Sequence, residues 1–279
     1  MSVPSSLKVG PFTTLVLIKK RYLLFYVFLI AITLFIIQFE FWWYWAFLFD
    51  WKFVHFLIFL PLLLFVMYVS AVFISLIFAK FLLVIVNAIH KPRQGVFLRS
   101  ADDKDYRYWC IRSVIKKWPI WLSHKFPFPF LDNICLKVFN VKTTFGNSLF
   151  EGWIDTEFIE FGKDVVVGQG SLIQSAIIMG NLFILRKTII EDNVKIGAHA
   201  VVMPGARLEK DCILAQGSLA RCGQILESGF IYTGAPAKKF KKNVFLEERL
   251  EEIIENQIEI AEDAREKYED SYDRRKTSG

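Results

Sequence analysis

Histidine is the side chain best suited to proton transfer near neutral pH, because its unperturbed pKa is about 6.5. The chain has four histidines in 279 residues. His55 lies within a long apolar run, His90 follows that run and His124 lies in a mixed segment, so only His199 falls in the regular C-terminal half. His199 is therefore a candidate catalytic base. The competing interpretation is a surface or subunit-contact histidine at an outward-pointing turn, and Glu191 is a further candidate.

A lysine cluster near the end of the same region is the second chemical feature: Lys238, Lys239, Lys241 and Lys242. Such a cluster either neutralises phosphates as point charges or forms a solvated or membrane-facing patch. No metal site is predicted. The four cysteines have no CxxC spacing, and the single histidine of the regular C-terminal half cannot supply a three-histidine site. The cysteine pattern suits a reducing compartment.

The region that carries these side chains has a six-residue period. An apolar residue returns at every sixth place from Ile190 to Tyr232, with small residues four places later and turn glycines between them. No α-helix keeps one face at that period, whereas three hexads make one triangular coil of a solenoid. The pattern predicts an all-β parallel β-helix over residues 145–242.

The repeat is interrupted once. Phe161, Val167 and Ile173 have the same period but a different phase, and the break lies between Ala176 and Thr188. The sequence therefore predicts a loop that leaves the coil there. Insertions in solenoids project from one face and commonly carry function, so the active site is expected beside this loop.

The N-terminal part is apolar enough to face lipid, since hydrophobic residues make up 54% of the chain. Two apolar runs, Tyr22 to Gln38 and Phe53 to Val86, approach or exceed the roughly 20 residues that span a bilayer. The segment between them, Phe39 to Lys52, is rich in interfacial aromatic residues. The two runs predict a membrane α-helical hairpin that is not a cleaved signal peptide.

Charge sets the expected orientation. Basic residues precede the first run and follow the second, which places both termini and the β-helix in the cytoplasm, on the cytoplasmic membrane. The net charge of +6 is explained by anionic membrane lipid, so nucleic acid is not needed as a partner. Transport is disfavoured because only His55 and Lys80 interrupt the spans.

Four segments follow from these patterns: 1–90 with two transmembrane helices, 91–144 as an interfacial helical linker, 145–242 as the β-helix, and 243–279 as a charged C-terminal amphipathic helix and tail. The linker is either a structural collar that packs the membrane helices onto the β-helix or a guide for substrate. The tail either caps the β-helix or associates with neighbouring subunits.

The segments "EFGKDVVVGQGSLIQSA", "IIEDNVKIGAHAVVMPGARLEKDCILAQGSLA" and "YTGAPAKKFKK" resemble the hexapeptide-repeat acyltransferases, whose β-helix is left-handed. With the preceding apolar runs, the chain is most similar to the membrane-bound terminal region of polylysine-synthetase-type peptide synthetases and its stand-alone relatives. The resemblance implies a homotrimer with active sites between subunits. It also implies acetyl-CoA or another acyl-CoA as cofactor, bound along the coils.

The resemblance assigns roles to particular residues. The cofactor would contact the lysine cluster and four small residues: Ala215, Gly217, Gly234 and Ala235. Gln174, Ser175 and Asn181 would contact the acceptor. The expected base follows the Gln-Ser pair, and that position is Ala176, which cannot accept a proton.

Two hypotheses remain open. The first is an acyl-CoA-dependent acyltransferase, acetyl in the simplest case, acting on a hydroxyl or amine of a membrane-associated acceptor such as a lipid headgroup or lipid-linked sugar. The second is a catalytically silent trimeric membrane scaffold, motivated by Ala176. Failure to bind any acyl-CoA would favour the scaffold.

Overall fold

Two long helices begin the chain in the computed structural model, which describes residues 3–4, 19–49, 53–125, 130–149 and 152–243. Helix α1 is Leu23–Phe49 and helix α2 is Phe53–Ile89. Both are long and apolar enough to cross a membrane by length and composition, and most of their side chains are not buried in the protein. They contact each other where Tyr44 donates a hydrogen bond to the Phe56 carbonyl, at 3.0 Å.

Helix α2 is longer than a bilayer requires. Its 37 residues extend about 55 Å at 1.5 Å per residue, against about 30 Å for the hydrocarbon core. The second half of α2 has a buried face that begins at Val72 and ends at Val86. This face packs against α3 (Lys104–His124) and α4 (Phe130–Val138), which we call the collar helices.

The collar joins the apolar helices to the rest of the molecule. Helix α3 begins at the N-cap Asp103, whose side chain accepts a hydrogen bond from Tyr106 N at 3.1 Å. One face of α3 packs on α1 and α2 through Ile115 and Leu122, and another face packs on the antiparallel sheet through Trp109. The collar helices therefore connect the two apolar helices to the C-terminal half.

The C-terminal half is a parallel β-helix with three sheets. Val201 pairs with Leu219, and Lys195 pairs with Ile213, so each coil contains eighteen residues. The predicted six-residue period is thus one side of a triangular coil. Three sheets of short strands make the three sides: β4 (Ile159–Phe161), β9 (Thr188–Ile190), β12 (Arg207–Leu208) and β15 (Ile225–Leu226); β3 (Trp153–Ile154), β6 (Leu172–Ile173), β11 (Val201–Val202) and β14 (Leu219–Ala220); β5 (Val166–Val167), β10 (Lys195–Ile196), β13 (Ile213–Leu214), β16 (Phe230–Thr233) and the antiparallel β17 (Lys238–Lys242).

The interior of the β-helix is the apolar ladder that the repeat predicts. All eight ladder residues are at most 4% exposed: Ile190, Ile196, Val202, Leu208, Leu214, Ala220, Leu226 and Tyr232. The small companions are also buried at the corners: Val194, Ala200, Ala206, Cys212 and Ser218. Gly205 and Gly217 have positive φ, whereas Gly197 is needed because a Cβ there would lie 2.4 Å from Gln216 N.

The loop predicted between Ala176 and Thr188 leaves the coil as a β-hairpin. Strand β7 (Ala176–Met179) and strand β8 (Leu182–Leu185) pair antiparallel, and β2 (Gly95–Leu98) adds to β8. A short strand β1 (Val3–Pro4) pairs with β7 on the other side. One face of this four-stranded sheet packs Phe183 against Tyr106 and Trp109 of α3. The predicted C-terminal amphipathic helix lies outside the described residues.

We expect Ile196→Val to destabilise the β-helix by about 0.5–1.5 kcal/mol, the usual cost of removing one buried methylene. Ile196 is 3% exposed in the ladder, and neighbouring coils hold its backbone on both sides. Chemical denaturation followed by circular dichroism would measure the free energy of unfolding. The control is Ile225→Val, because Ile225 is 59% exposed and should change that free energy little.

Candidate active site

At one corner of the β-helix, which we call the glycine edge, glycine occupies two of three successive coils. The edge is formed by Gly170, His199 and Gly217 in successive coils, followed by the turn at Gly234 and Ala235. The first three have φ values of 66°, 54° and 65°. His199 N donates to Gln169 O at 2.9 Å, and Gly217 N donates to Ala198 O at 2.9 Å. The edge is therefore a continuous hydrogen-bonded column.

His199 is exposed on this edge, as the hexad position predicts. A Cβ on Gly170 would lie 2.7 Å from His199 Nδ1, so the imidazole ring passes directly over Gly170. A Cβ on Gly217 would contact nothing within 4 Å, which leaves the other side of the ring open. A molecule that runs along the edge would meet the imidazole and mostly backbone.

The residues assigned to the cofactor lie along the same edge. Ala215, two residues before Gly217, donates from its backbone N to Tyr232 O at 2.8 Å. The turn that contains Gly234 and Ala235 is fixed because Ser218 Oγ accepts from Gly234 N at 3.1 Å. The fold thus brings His199, Ala215, Gly217, Gly234 and Ala235 together at one corner.

The four lysines of the cluster make different contacts. Strand β17 pairs antiparallel with β16. Lys239 is paired with Glu227, and its ammonium lies 3.9 Å from the centre of the Phe230 ring. The ammonium of Lys241 lies 5.7 Å from the Phe240 ring. Lys238, Lys239 and Lys242 are all exposed, but Glu227 already engages Lys239, so Lys238 and Lys242 are the ones best placed to meet an anionic ligand.

The residues assigned to the acceptor are separated by the hairpin. Gln174, Ser175 and Ala176 form its base, which we call the hairpin foot, and each is at most 1% exposed. Asn181 is exposed in the turn at the opposite end of the four-residue strands. Because extended strands replace the predicted loop, Asn181 cannot share a site with Gln174 and Ser175 in one copy of the chain.

Ala176 is buried in an apolar cluster rather than open to solvent. The cluster includes Tyr22 and Tyr26 of the first helix, Tyr106 and Trp109 of α3, and Phe183 of the hairpin. A histidine at this position would need space that these aromatic rings occupy. The position of the base expected from the resemblance is therefore occupied by a side chain that cannot accept a proton, and aromatic side chains pack around it.

Sequence reasoning missed Asp155, which lies beside the hairpin foot. Strand β3 pairs with β6 so that Ile154 lies opposite Ile173, which places Asp155 one coil away from Gln174. Asp155 Oδ2 accepts hydrogen bonds from Ser175 N at 3.0 Å and from Ala176 N at 3.2 Å. Burial raises the pKa of Asp155 to about 6, although the two N–H donors oppose this rise.

A buried ion cluster links the same corner to α3. Arg112 Nε and Lys116 Nζ each lie 2.8 Å from Glu157 Oε1, and the Arg112 side chain is 2% exposed. Burial alone would raise the pKa of Glu157, but Lys116 and Arg112 outweigh it and the pKa is lowered. Burial lowers the pKa of Lys116. The sequence predicts that the excess positive charge contacts membrane lipid, whereas the side chains of Arg112 and Lys116 are buried in the protein.

The glycine edge and the hairpin foot lie at opposite ends of two neighbouring strands of one sheet. His199 precedes strand β11, whereas Gln174 to Ala176 follow strand β6, its hydrogen-bonded neighbour. Glu191, the other substitute for the missing base, accepts hydrogen bonds from Arg207 Nε at 3.0 Å and Arg207 Nη2 at 2.6 Å. Among the described residues, no group of three or more His, Cys, Asp or Glu side chains could hold a metal ion.

Comparison with known proteins agrees with the repeat. Residues 187–219 match the family described as bacterial transferase hexapeptide (six repeats), so this part of the chain is a hexapeptide repeat, and the repeat implies the left-handed form of the β-helix. A curated relative is 2,3,4,5-tetrahydropyridine-2,6-dicarboxylate N-acetyltransferase of Staphylococcus aureus, 34% identical over 93 residues. The match covers 33% of this chain and 37% of that enzyme, so the chain spans well under half the length of its curated relative.

Solved structures with partial similarity include a variant of AntD, an N-acyltransferase from Bacillus cereus, in complex with dTDP-4-amino-4,6-dideoxyglucose and coenzyme A. It is 22% identical with a TM-score of 0.30, covering 34% of this chain and 57% of that one. A hexapeptide-repeat acetyltransferase from Vibrio cholerae, complexed with acetyl coenzyme A, is 13% identical with a TM-score of 0.35, covering 44% and 82%.

Proposed function

We propose that this protein is an acyl-CoA-dependent acyltransferase, with acetyl-CoA as the simplest donor, that acylates a hydroxyl or amine on a membrane-associated acceptor. The observation that carries the proposal is the glycine edge, a column of backbone and small side chains beside an exposed histidine on a hexapeptide repeat. A long, narrow cofactor fits such a column because few side chains obstruct it.

The residues along the edge fit coenzyme A in chemistry as well as in shape. Gly217 and Ala235 leave room for the pantetheine arm, and exposed Lys238 and Lys242 supply positive charge for phosphates at the end of the coil. When bound, the cofactor supplies an activated thioester. The protein's part is to hold that thioester beside an acceptor and a proton-accepting side chain.

A homotrimer would explain why the two candidate regions are apart. In one copy, the glycine edge and the hairpin foot lie at opposite ends of the β6–β11 pair, so a single chain does not join them. In a closed ring of identical copies, the edge of one copy can face the foot of its neighbour. Each active site would then contain a cofactor edge and an acceptor region from two copies.

The membrane association of the acceptor is supported by the position of the hairpin foot. Ala176 shares its apolar cluster with Tyr22 and Tyr26, which lie at the start of the first apolar helix. An acceptor anchored in lipid would therefore have its polar group near the foot. The basic residues that flank the two spans favour the cytoplasmic face of the cytoplasmic membrane, with both termini and the β-helix on that side.

Proton transfer needs a side chain near the thioester. Ala176 cannot provide it, and Glu191 is held by Arg207. Of the candidates predicted from the sequence, His199 is the one that lies exposed on the glycine edge. The buried Ala176 also supports a second proposal, a trimeric scaffold at the membrane that binds no acyl-CoA.

The deciding experiment is calorimetric titration of the detergent-purified full chain with acetyl-CoA, followed by an assay of thiol release. Binding is expected, and replacing both Lys238 and Lys242 with glutamine should weaken it about 10-fold, or about 1.4 kcal/mol. The matched control is Lys239→Gln, because Glu227 already engages that ammonium. Absence of binding by the wild-type protein would reject the acyltransferase and leave the scaffold.

A further inference from the structure

An acid–base group that the resemblance does not provide lies beside the hairpin foot. Asp155 Oδ2 is fixed by the backbone N–H groups of Ser175 and Ala176, at 3.0 and 3.2 Å. Those are the last residue of the Gln-Ser pair and the position of the missing base. A carboxylate from the preceding coil is thus held within hydrogen-bond distance of the backbone at that position.

Among the residues that the structure describes, both hydrogen bonds of the Asp155 carboxylate use Oδ2, so Oδ1 is available to a further donor. The hydroxyl of Ser175, in the same turn, is buried without a hydrogen-bond partner among the described residues. Leaving a buried polar atom unpaired costs free energy, commonly about 1–3 kcal/mol. Such a site is completed by a ligand that brings its own hydrogen-bonding group.

We infer that Asp155 is the catalytic base of this chain, taking the proton from the hydroxyl or amine of the acceptor, and that Ser175 orients that acceptor. The inference rests on the proposed acyl transfer. The acceptor heteroatom forms a bond to the thioester carbonyl carbon as its proton moves to Asp155. The carbon–sulfur bond then breaks, and coenzyme A leaves as a thiol after receiving the proton.

The surroundings of Asp155 suit this role. Glu157 of its own loop and Lys116 of α3 both act on Asp155, and Glu157 is itself paired with Arg112 and Lys116. His124 of α3 packs its ring 5.0 Å from Trp153, two residues before Asp155. Because burial raises the pKa of Asp155 to about 6, the carboxylate is ionised at neutral pH and still basic enough to accept a proton.

The test uses the full chain in detergent, acetyl-CoA as donor and water as the simplest acceptor. Release of coenzyme A thiol is followed between pH 5 and pH 8. In the wild type, the rate should rise as pH increases through about 6 and then level off, because the active form is the ionised carboxylate. Asp155→Asn should lower the rate at least about 100-fold and remove the rise near pH 6.

Binding and stability measurements on Asp155→Asn, together with three further variants, separate a catalytic role of Asp155 from a structural one. Asp155→Asn retains an oxygen for both N–H groups, so acetyl-CoA binding and the unfolding temperature should stay close to wild type. Asp192→Asn is the matched control, since Asp192 Oδ1 accepts from Lys163 N at 2.8 Å at another corner. Ser175→Ala should raise KM for an amine or alcohol acceptor. His199→Asn should keep the inflection near pH 6.

The outcomes are distinct. Loss of the inflection in Asp155→Asn and its retention in His199→Asn would support the inference. The reverse pattern, or wild-type binding with no enzyme-dependent thiol release, would overturn it while leaving cofactor binding intact. Failure of every variant and the wild type to bind acetyl-CoA would instead overturn the proposed function on which the inference rests.

Discussion

Replacing Glu157 with alanine should destabilise the junction between α3 and the β-helix by about 3–5 kcal/mol. Glu157 is the shared counterion of Arg112 and Lys116, and all three side chains are at most 10% exposed. Removing the carboxylate would leave two buried positive charges facing each other in a site that water reaches poorly. Thermal unfolding in detergent would measure the loss, with limited proteolysis to show whether α3 has separated from the coil.

The matched control is Glu191→Ala, which breaks an Arg–Glu pair of similar geometry at the surface. Arg207 is 50% exposed, so this pair should contribute about 0.2–1 kcal/mol. A second variant replaces all three members of the buried cluster with apolar residues, and its stability should recover towards that of wild type. Equal effects of Glu157→Ala and Glu191→Ala would show that the collar is not held by the buried cluster.

The ion cluster also shows a limit of sequence reasoning. Arg112 and Glu157 are 45 residues apart, and each resembles an ordinary solvated charge in its own segment. The positive charges between Lys91 and Lys142 are typical of a membrane-facing stretch. Only the packing of α3 on the first coil turns two of them inwards. Tertiary contacts of this kind leave no periodic signal in a sequence.

The β-helix itself was predictable because its period is a geometric requirement. Every sixth residue points to the axis and must be apolar, and residues such as Val202 and Leu208 meet that need along the whole column. The same count predicted that His199 lies at an outward-pointing turn, and the structure places it there. The family match to residues 187–219 agrees with this part.

The hairpin and Asp155 were not predicted for a different reason. The segment from Ala176 to Leu185 consists of two short apolar runs separated by Gly180 and Asn181, and apolar runs this short do not distinguish strands from a loop until a partner strand is known. Strand β2, which completes the sheet, comes from residues 95–98. Asp155 lies in the first coil, before the repeat becomes regular, so only its register with the next coil places it beside Ser175.

Replacing Gly217 with tryptophan should abolish measurable acetyl-CoA binding, a loss of at least about 100-fold or about 3 kcal/mol. Gly217 lies on the glycine edge between His199 and the turn at Gly234. A Cβ there contacts nothing within 4 Å, so the indole would project along the path proposed for the cofactor rather than into the core. Calorimetric titration with acetyl-CoA gives the Kd directly.

Gly229→Trp is the matched control. Gly229 has φ of 71° against 65° for Gly217, and a Cβ there also contacts nothing within 4 Å. Both substitutions therefore carry the same backbone strain, about 1–2 kcal/mol, but Gly229 lies on a different corner. If the two variants lost binding equally, strain rather than obstruction would be the cause, and the cofactor would not lie on the glycine edge.

Co-expression of the Gly217→Trp and Asp155→Asn variants tests how the subunits are arranged around each active site. Gly217→Trp damages the edge of a copy, whereas Asp155→Asn damages its hairpin foot. If each active site joins the edge of one copy to the foot of its neighbour, mixed trimers contain some sites with both parts intact, and thiol release should reappear although neither variant is active alone. If each site were built within one copy, no mixture could contain an intact site, and activity would stay absent. Recovery of activity would therefore establish the shared site and the oligomer together.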